Sequence, residues 1–114
     1  MEINPNDALD MWRRAMVDSV RREAPDLSAR QMGLLLLVYM TDGPHTVRGL
    51  SETLRISKPA VTRAVDRLAK LEMVRRKEDD QDRRSVLIQC TVKVSIFLRE
   101  FGEIISTAAT KIPF

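Results

Sequence analysis

The chain has 114 residues, of which 44% are hydrophobic and 31% charged, and it carries a net charge of +3. Such a length supports one domain around one core, and the composition is that of a soluble globular protein, not of a disordered or fibrous chain. The longest apolar run, Leu34-Leu35-Leu36-Leu37-Val38-Tyr39-Met40, is too short to span a bilayer, and the first residues show no basic-then-apolar leader, so cytoplasmic residence without membrane association is expected.

In chain order, the first element opens at Asn4-Pro5, with Asn4 placed as N-cap and Pro5 at the first helical position. Leu9, Trp12, Ala15, Met16 and Val20 then recur on one stripe, with Arg13, Arg14, Arg21 and Arg22 largely off it, and Pro25 stops the run. This predicts a helix over 5–23. Leu27-Ser28-Ala29-Arg30-Gln31-Met32 starts a second helix, in which Ser28 and Gln31 form a capping box and Leu27 and Met32 a hydrophobic staple. That helix is apolar nearly all round, so it should be the most buried, and Gly43 is placed as its left-handed cap before Pro44.

A short third helix follows, capped by Thr46 and carrying Val47, Leu50 and Leu54. Arg55-Ile56-Ser57 is a tight connection into a fourth helix, expected at 58–72, with Ser57 as N-cap and Pro59 tolerated in the first turn. On that helix Val61, Ala64, Val65 and Leu68 form an apolar stripe, while Lys58, Thr62, Arg63 and Arg67 point elsewhere. Taken alone, the polar face is either a solvated charged face or one that reads base edges in a major groove. Its neighbours favour the second reading. Two short helices joined by a tight turn are a helix-turn-helix. Two strand-like runs then flank the polar tip Glu78-Asp79-Asp80-Gln81-Asp82, which predicts a β-hairpin, a wing, over 75–90. Val86, Ile88 and Cys90 alternate on one face of it. Cys90, the only cysteine, excludes an internal disulfide and reads as a buried structural thiol in preference to a redox sensor. The last segment carries Val94, Phe97, Leu98, Phe101, Ile104, Ile105 and Ala108 on a stripe over 92–110.

Charge is unevenly placed. Residues 48–84 hold eleven Lys/Arg against seven Asp/Glu, a net of +4, and the remainder hold eight against nine, a net of −1. The basic excess therefore surrounds the fourth helix, which suits a polyanion. No catalytic machinery is legible: the lone His45 sits in a connector, without a paired nucleophile or a metal-ligand cluster, so no enzyme activity and no cofactor are expected.

Leu27-Ser28…Gln31, Val47…Leu50…Leu54, Ser57-Lys58-Pro59-Ala60-Val61-Thr62-Arg63…Asp66-Arg67-Leu68, Val74-Arg75-Arg76 and Asp82-Arg83-Arg84-Ser85…Thr91 together resemble the MarR (multiple antibiotic resistance regulator) family of winged-helix transcription factors, over residues 27–91. The Asp82-Arg83-Arg84 stretch after such a helix is the most specific part. The resemblance implies a mainly α fold with a small β-hairpin, a single domain over 1–114 in which a winged helix-turn-helix core is flanked by dimerisation helices. It implies a dimeric repressor that binds a palindromic double-stranded operator. Ser57, Lys58, Pro59, Ala60, Thr62, Arg63 and Arg67 would meet the major groove, and Arg83 and Arg84 the minor groove. Asp66 and Asp82 are the implied wing-bracing acids, Asp66 by pairing with Arg84.

In this reading Leu9, Trp12, Met16, Phe97, Leu98, Phe101, Ile104 and Ile105 build the homodimer, the alternative being that both terminal stripes fold back as core. The family also implies a small-molecule effector, although Trp12, Met16, Met32, Met40 and Phe97 read as core and not as a pocket lining. Glu72, Cys90 and Val94 depart from the family's usual Gly, Leu and Gly, and the C-terminal part is shorter than usual. The competing function is a protein-interaction scaffold, which would have no need of Lys58, Arg63 and Arg67 together with wing arginines.

Overall fold

The computed structural model describes residues 2–113. Five helices and two strands follow in the order α1 (Pro5–Arg21), α2 (Ala29–Met40), α3 (Val47–Leu54), α4 (Lys58–Lys70), β1 (Val74–Glu78), β2 (Val86–Cys90) and α5 (Val92–Ala109). The chain divides into two compact units, Leu27–Ser95 and a terminal unit of Met1–Asp26 with Ile96–Phe114.

Local chemistry places the helix starts where the sequence expects them. The Asn4 side chain accepts from the Asp7 N–H, the Ser28–Gln31 capping box is complete, Thr46 caps Gly49 and Ser57 caps Ala60. Each supplies an acceptor to an N–H that the first turn leaves free. The ends differ more. The first helix stops at Arg21, before the expected residue 23, with Glu23 left-handed at φ 56. The fourth stops at Lys70 and not at 72. Gly43 is not the left-handed cap of α2: Thr41 ends that helix in extended conformation, and no described glycine has a positive φ.

In the unit Leu27–Ser95, α2, α3 and α4 pack on one another and on the antiparallel hairpin, whose register runs from Val74↔Cys90 to Glu78↔Val86. The expectation that α2 is the most buried helix is corrected. Three of its residues are buried, Leu34, Leu35 and Val38, against five on α4, Ala60, Val61, Ala64, Val65 and Leu68. Apolar content alone overstated α2, because Tyr39 and Met40 at its end are exposed. Position in the core decides burial: α4 is packed by α2 and α3 and is followed directly by β1. The hairpin is tied in at Ile88, which is 1% exposed and donates its N–H to the His45 carbonyl at 2.8 Å. Cys90 is only half-buried, and burial pushes its thiol pKa up, which keeps it protonated and a poor nucleophile.

The turn between α3 and α4 rests on Arg55, left-handed at φ 55. Ser51 holds that turn from both sides: its carbonyl accepts from the Ile56 N–H at 3.3 Å, and its hydroxyl donates to the Ile56 carbonyl at 2.6 Å. A side chain with a Cβ is strained in this backbone region, so Arg55→Gly is expected to raise stability by up to about 1 kcal/mol, read as a higher urea midpoint at unchanged slope.

In the terminal unit, Ala15 of α1 is buried with Ile104 and Ala108 of α5, and Met11 and Ile105 pack against them. The Trp12 and Phe101 rings meet edge to face with centroids 6.3 Å apart.

Candidate nucleic-acid interface

The two faces of α4 separate cleanly. Val61, Val65 and Leu68 are fully buried, whereas Ser57, Lys58, Pro59, Thr62, Arg63, Asp66 and Arg67 are exposed. The burial follows from spacing: positions 61, 64, 65 and 68 share one side of a 3.6-residue helix, so positions 62, 63 and 67 face away, while Lys58 is exposed because it is the first residue of the helix. One expected contact residue is corrected. Ala60 is 7% exposed and belongs to the core, because it lies four residues before Ala64 on the buried side. Little of its methyl is left for a base contact.

The helix presents its N-terminus with Lys58 in the first turn and no acid there. Pro59 has no N–H and Ser57 takes that of Ala60, so the Lys58 ammonium and the positive end of the helix dipole are what favour an anion such as a phosphate here. Arg63 and Arg67, exposed and one turn apart, supply guanidinium forks that match the acceptor pair on a guanine edge.

The wing is braced differently from the expectation. Asp66 forms an ion pair with Arg76 of β1, not with Arg84. The reason is topological. β1 follows α4 after a short turn, so Arg76 lies ten residues from Asp66, whereas Arg84 sits in the tip beyond the last strand pair, Glu78↔Val86. Asp82 acts locally. Its carboxylate accepts from the Arg84 N–H at 3.1 Å and the Ser85 hydroxyl at 3.2 Å, and the Ser85 carbonyl accepts from the Asp79 N–H at 3.1 Å. Asp82 therefore closes the tip and leaves the Arg83 and Arg84 side chains exposed. Because the Asp66–Arg76 side chains remain 62% and 38% exposed, the pair contributes little to folding. Asp66→Asn is expected to change stability by less than about 1 kcal/mol in thermal denaturation, while weakening operator binding several-fold.

Three groups were not singled out from the sequence. Arg75, Arg76 and Lys77 form an exposed basic run along β1. Their signal was three consecutive cations entering the hairpin. Ser51 and Thr91 work through backbone bonds that no sequence spacing announces.

An exposed basic face on the second helix of a helix-turn-helix, followed by a basic hairpin, defines a winged-helix DNA-binding regulator. Residues 26–85, more than half of the chain, match the sequence model of the MarR family. The chain belongs to the MarR family of winged-helix transcription regulators. The structure of the transcriptional regulator Tm0710 from Thermotoga maritima superimposes with a TM-score of 0.76 at 23% identity, over 91% of this chain and 70% of that one. A mutant of S. aureus MepR bound to an oligodeoxyribonucleotide superimposes with a TM-score of 0.69 at 20% identity, over 93% and 78%. CouR from Rhodococcus jostii RHA1, bound to p-coumaroyl-CoA, does so with a TM-score of 0.66 at 22% identity, over 89% and 66%. Comparison with the curated protein sequences finds no significant match.

Proposed function

We propose that the chain is a cytoplasmic dimeric repressor that reads a two-fold symmetric duplex site, with α4 in the major groove and the β1–β2 wing at the minor groove. The observation that carries this reading is the division of α4 into a fully packed back and an outer face bearing Lys58, Thr62, Arg63 and Arg67. Lys58 and the helix N-terminus position the helix on phosphate, and Arg63 and Arg67 read base edges. The acids Glu78, Asp79, Asp80 and Asp82 at the wing tip oppose close approach to phosphate, so the tip overhangs solvent while Arg83 or Arg84 enters the groove. That a MepR mutant of the same fold is solved bound to an oligodeoxyribonucleotide supports DNA as the ligand.

One such unit covers few base pairs, and two half-sites about one helical turn apart require a dimer. The dimer surface is narrower than the sequence stripe indicated. Leu98, Phe101 and Ile104 are 5–6% exposed within the single chain and act as its core. Leu9 at 68%, Trp12 at 46%, Val20 at 78% and Ile96 at 60% remain for a partner copy. Light scattering is expected to give twice the 13.0 kDa of one chain. Duplex affinity is expected to fall steeply with salt as phosphate counterions are released. A monomer, or an affinity flat in salt, would defeat this reading.

A small-molecule effector is also consistent with the terminal unit. A cleft of about 340 Å³ there has Val17, Ile104 and Ala108 as its apolar lining, Arg13, Arg14, Arg21 and Lys111 as cations and Asp18 as its one acid. That chemistry suits an organic anion with an apolar body. Calorimetric titration with alkyl and aryl carboxylates is expected to show saturable binding that Arg21→Gln weakens; binding unaffected by that change would remove the assignment.

A further inference from the structure

The end of the recognition helix is held by one side chain from the far side of the hairpin. After Lys70 the chain turns through Glu72 at φ 61; the Glu72 N–H donates to the Ala69 carbonyl and the Met73 N–H to the Leu68 carbonyl, both at 2.9 Å. This is a Schellman ending, with Met73 and Leu68 both buried as its apolar contact. It leaves the Glu72 and Met73 carbonyls to find other donors. Thr91, immediately after β2, supplies them. Its hydroxyl is 2.6 Å from the Glu72 carbonyl oxygen and 3.2 Å from that of Met73, and its N–H donates to the Met73 carbonyl at 3.1 Å. The same hydroxyl oxygen accepts from the Val94 N–H at 3.3 Å, in the first turn of α5. Lys93 adds an exposed ion pair to the Glu72 carboxylate at 3.3 Å.

One hydroxyl thus joins three things: the last turn of α4, the base of the wing and the start of α5. We propose that Thr91 is a positioning residue for DNA recognition, fixing the angle at which the wing leaves the recognition helix so that both engage the duplex together. This rests on the groove assignment above.

Geometry gives the lever. Val86, at the outer end of β2, lies five residues from Thr91, roughly 17 Å along an extended strand at about 3.3 Å per residue, and Arg84 lies beyond it in the tip. A rotation of about 10° at the base would displace the strand end by roughly 3 Å over that length, more than a hydrogen bond tolerates. The Asp66–Arg76 pair restrains the wing further out, but it is exposed and single. Glu72 is exposed, so water can replace the lost donor, and folding loses less than positioning does.

The test compares wild type, Thr91→Val, Thr91→Ser and Thr91→Asp by fluorescence anisotropy, on a duplex selected by the wild-type chain and on a scrambled duplex. Thr91→Val is expected to lose about tenfold in preference for the selected duplex, the scale of one net hydrogen bond. Its slope of log affinity against log salt should stay unchanged, since no phosphate contact is removed. Thr91→Ser restores the preference. Thr91→Asp keeps an acceptor for the Val94 N–H and hence the fold, but has no proton for Glu72 and loses the preference as Val does. A folded Val or Asp variant with wild-type preference overturns the proposal. So does an equal loss on both duplexes, which marks Thr91 as merely structural. A wild-type chain that selects no duplex sinks the groove assignment itself, and is recognised because every variant then behaves alike.

Discussion

Arg63→Ala is expected to abolish sequence preference while leaving a folded protein. Arg63 is exposed on α4, a full turn inside the N-terminus, and no acid of its own helix or of the wing pairs with it. Its guanidinium is therefore available to fork onto a guanine edge, and losing such a contact costs about 1–3 kcal/mol, or roughly tenfold to more than a hundredfold in affinity for the preferred duplex. The effect should fall on the specific complex and be confined to one base position in each half-site. Lys58→Ala provides the contrast. A first-turn lysine that serves phosphate should weaken all duplexes alike and lower the salt slope by about one. Anisotropy titrations of both variants on the selected and scrambled duplexes separate the two roles. An Arg63→Ala chain with unchanged preference would remove Arg63 from the reading face.

Leu68→Ala should produce the largest loss of stability. Leu68 is fully buried, and its carbonyl anchors the Schellman turn that ends α4. Truncating a buried leucine removes its transfer free energy and leaves a cavity, a cost of about 2–5 kcal/mol. Against a total stability of about 5–15 kcal/mol, that is a large fraction. Urea denaturation of the variant should give a midpoint well below wild type with a similar slope. A change below about 0.5 kcal/mol would mean that the site is not packed as described.

Much of this was legible from the chain. The four N-caps, the α3–α4 turn and the buried stripe of α4 follow from local rules acting over three or four residues, and the structure places Asn4, Ser28, Thr46 and Ser57 as those rules require. The errors share a different origin. The family resemblance places Ala60 at the groove, yet it packs with the core at 7% exposure. The pairing of Asp66 depends on where the hairpin leaves α4, which only the tertiary path decides, so Arg76 and not Arg84 meets it. The apolar stripe of the last helix could not by itself divide into buried and exposed positions. Burial separates Leu98, Phe101 and Ile104 from the exposed Ile96. The bonds of Thr91 to the Glu72 carbonyl and of Ser51 to the Ile56 carbonyl were invisible because backbone acceptors reached through the fold carry no sequence signature; only the Thr91 bond to the Val94 N–H follows a local capping rule.

The central claim is that α4 and the wing read a symmetric duplex through a dimer. Selection of bound sites from a pool of random duplex DNA tests it most directly. The expected result is enrichment of a two-fold symmetric motif whose half-site centres lie about 10–10.5 base pairs apart, one helical turn, or a multiple of it. Recovery of no motif, or of a single asymmetric half-site from a chain that stays monomeric, would contradict it.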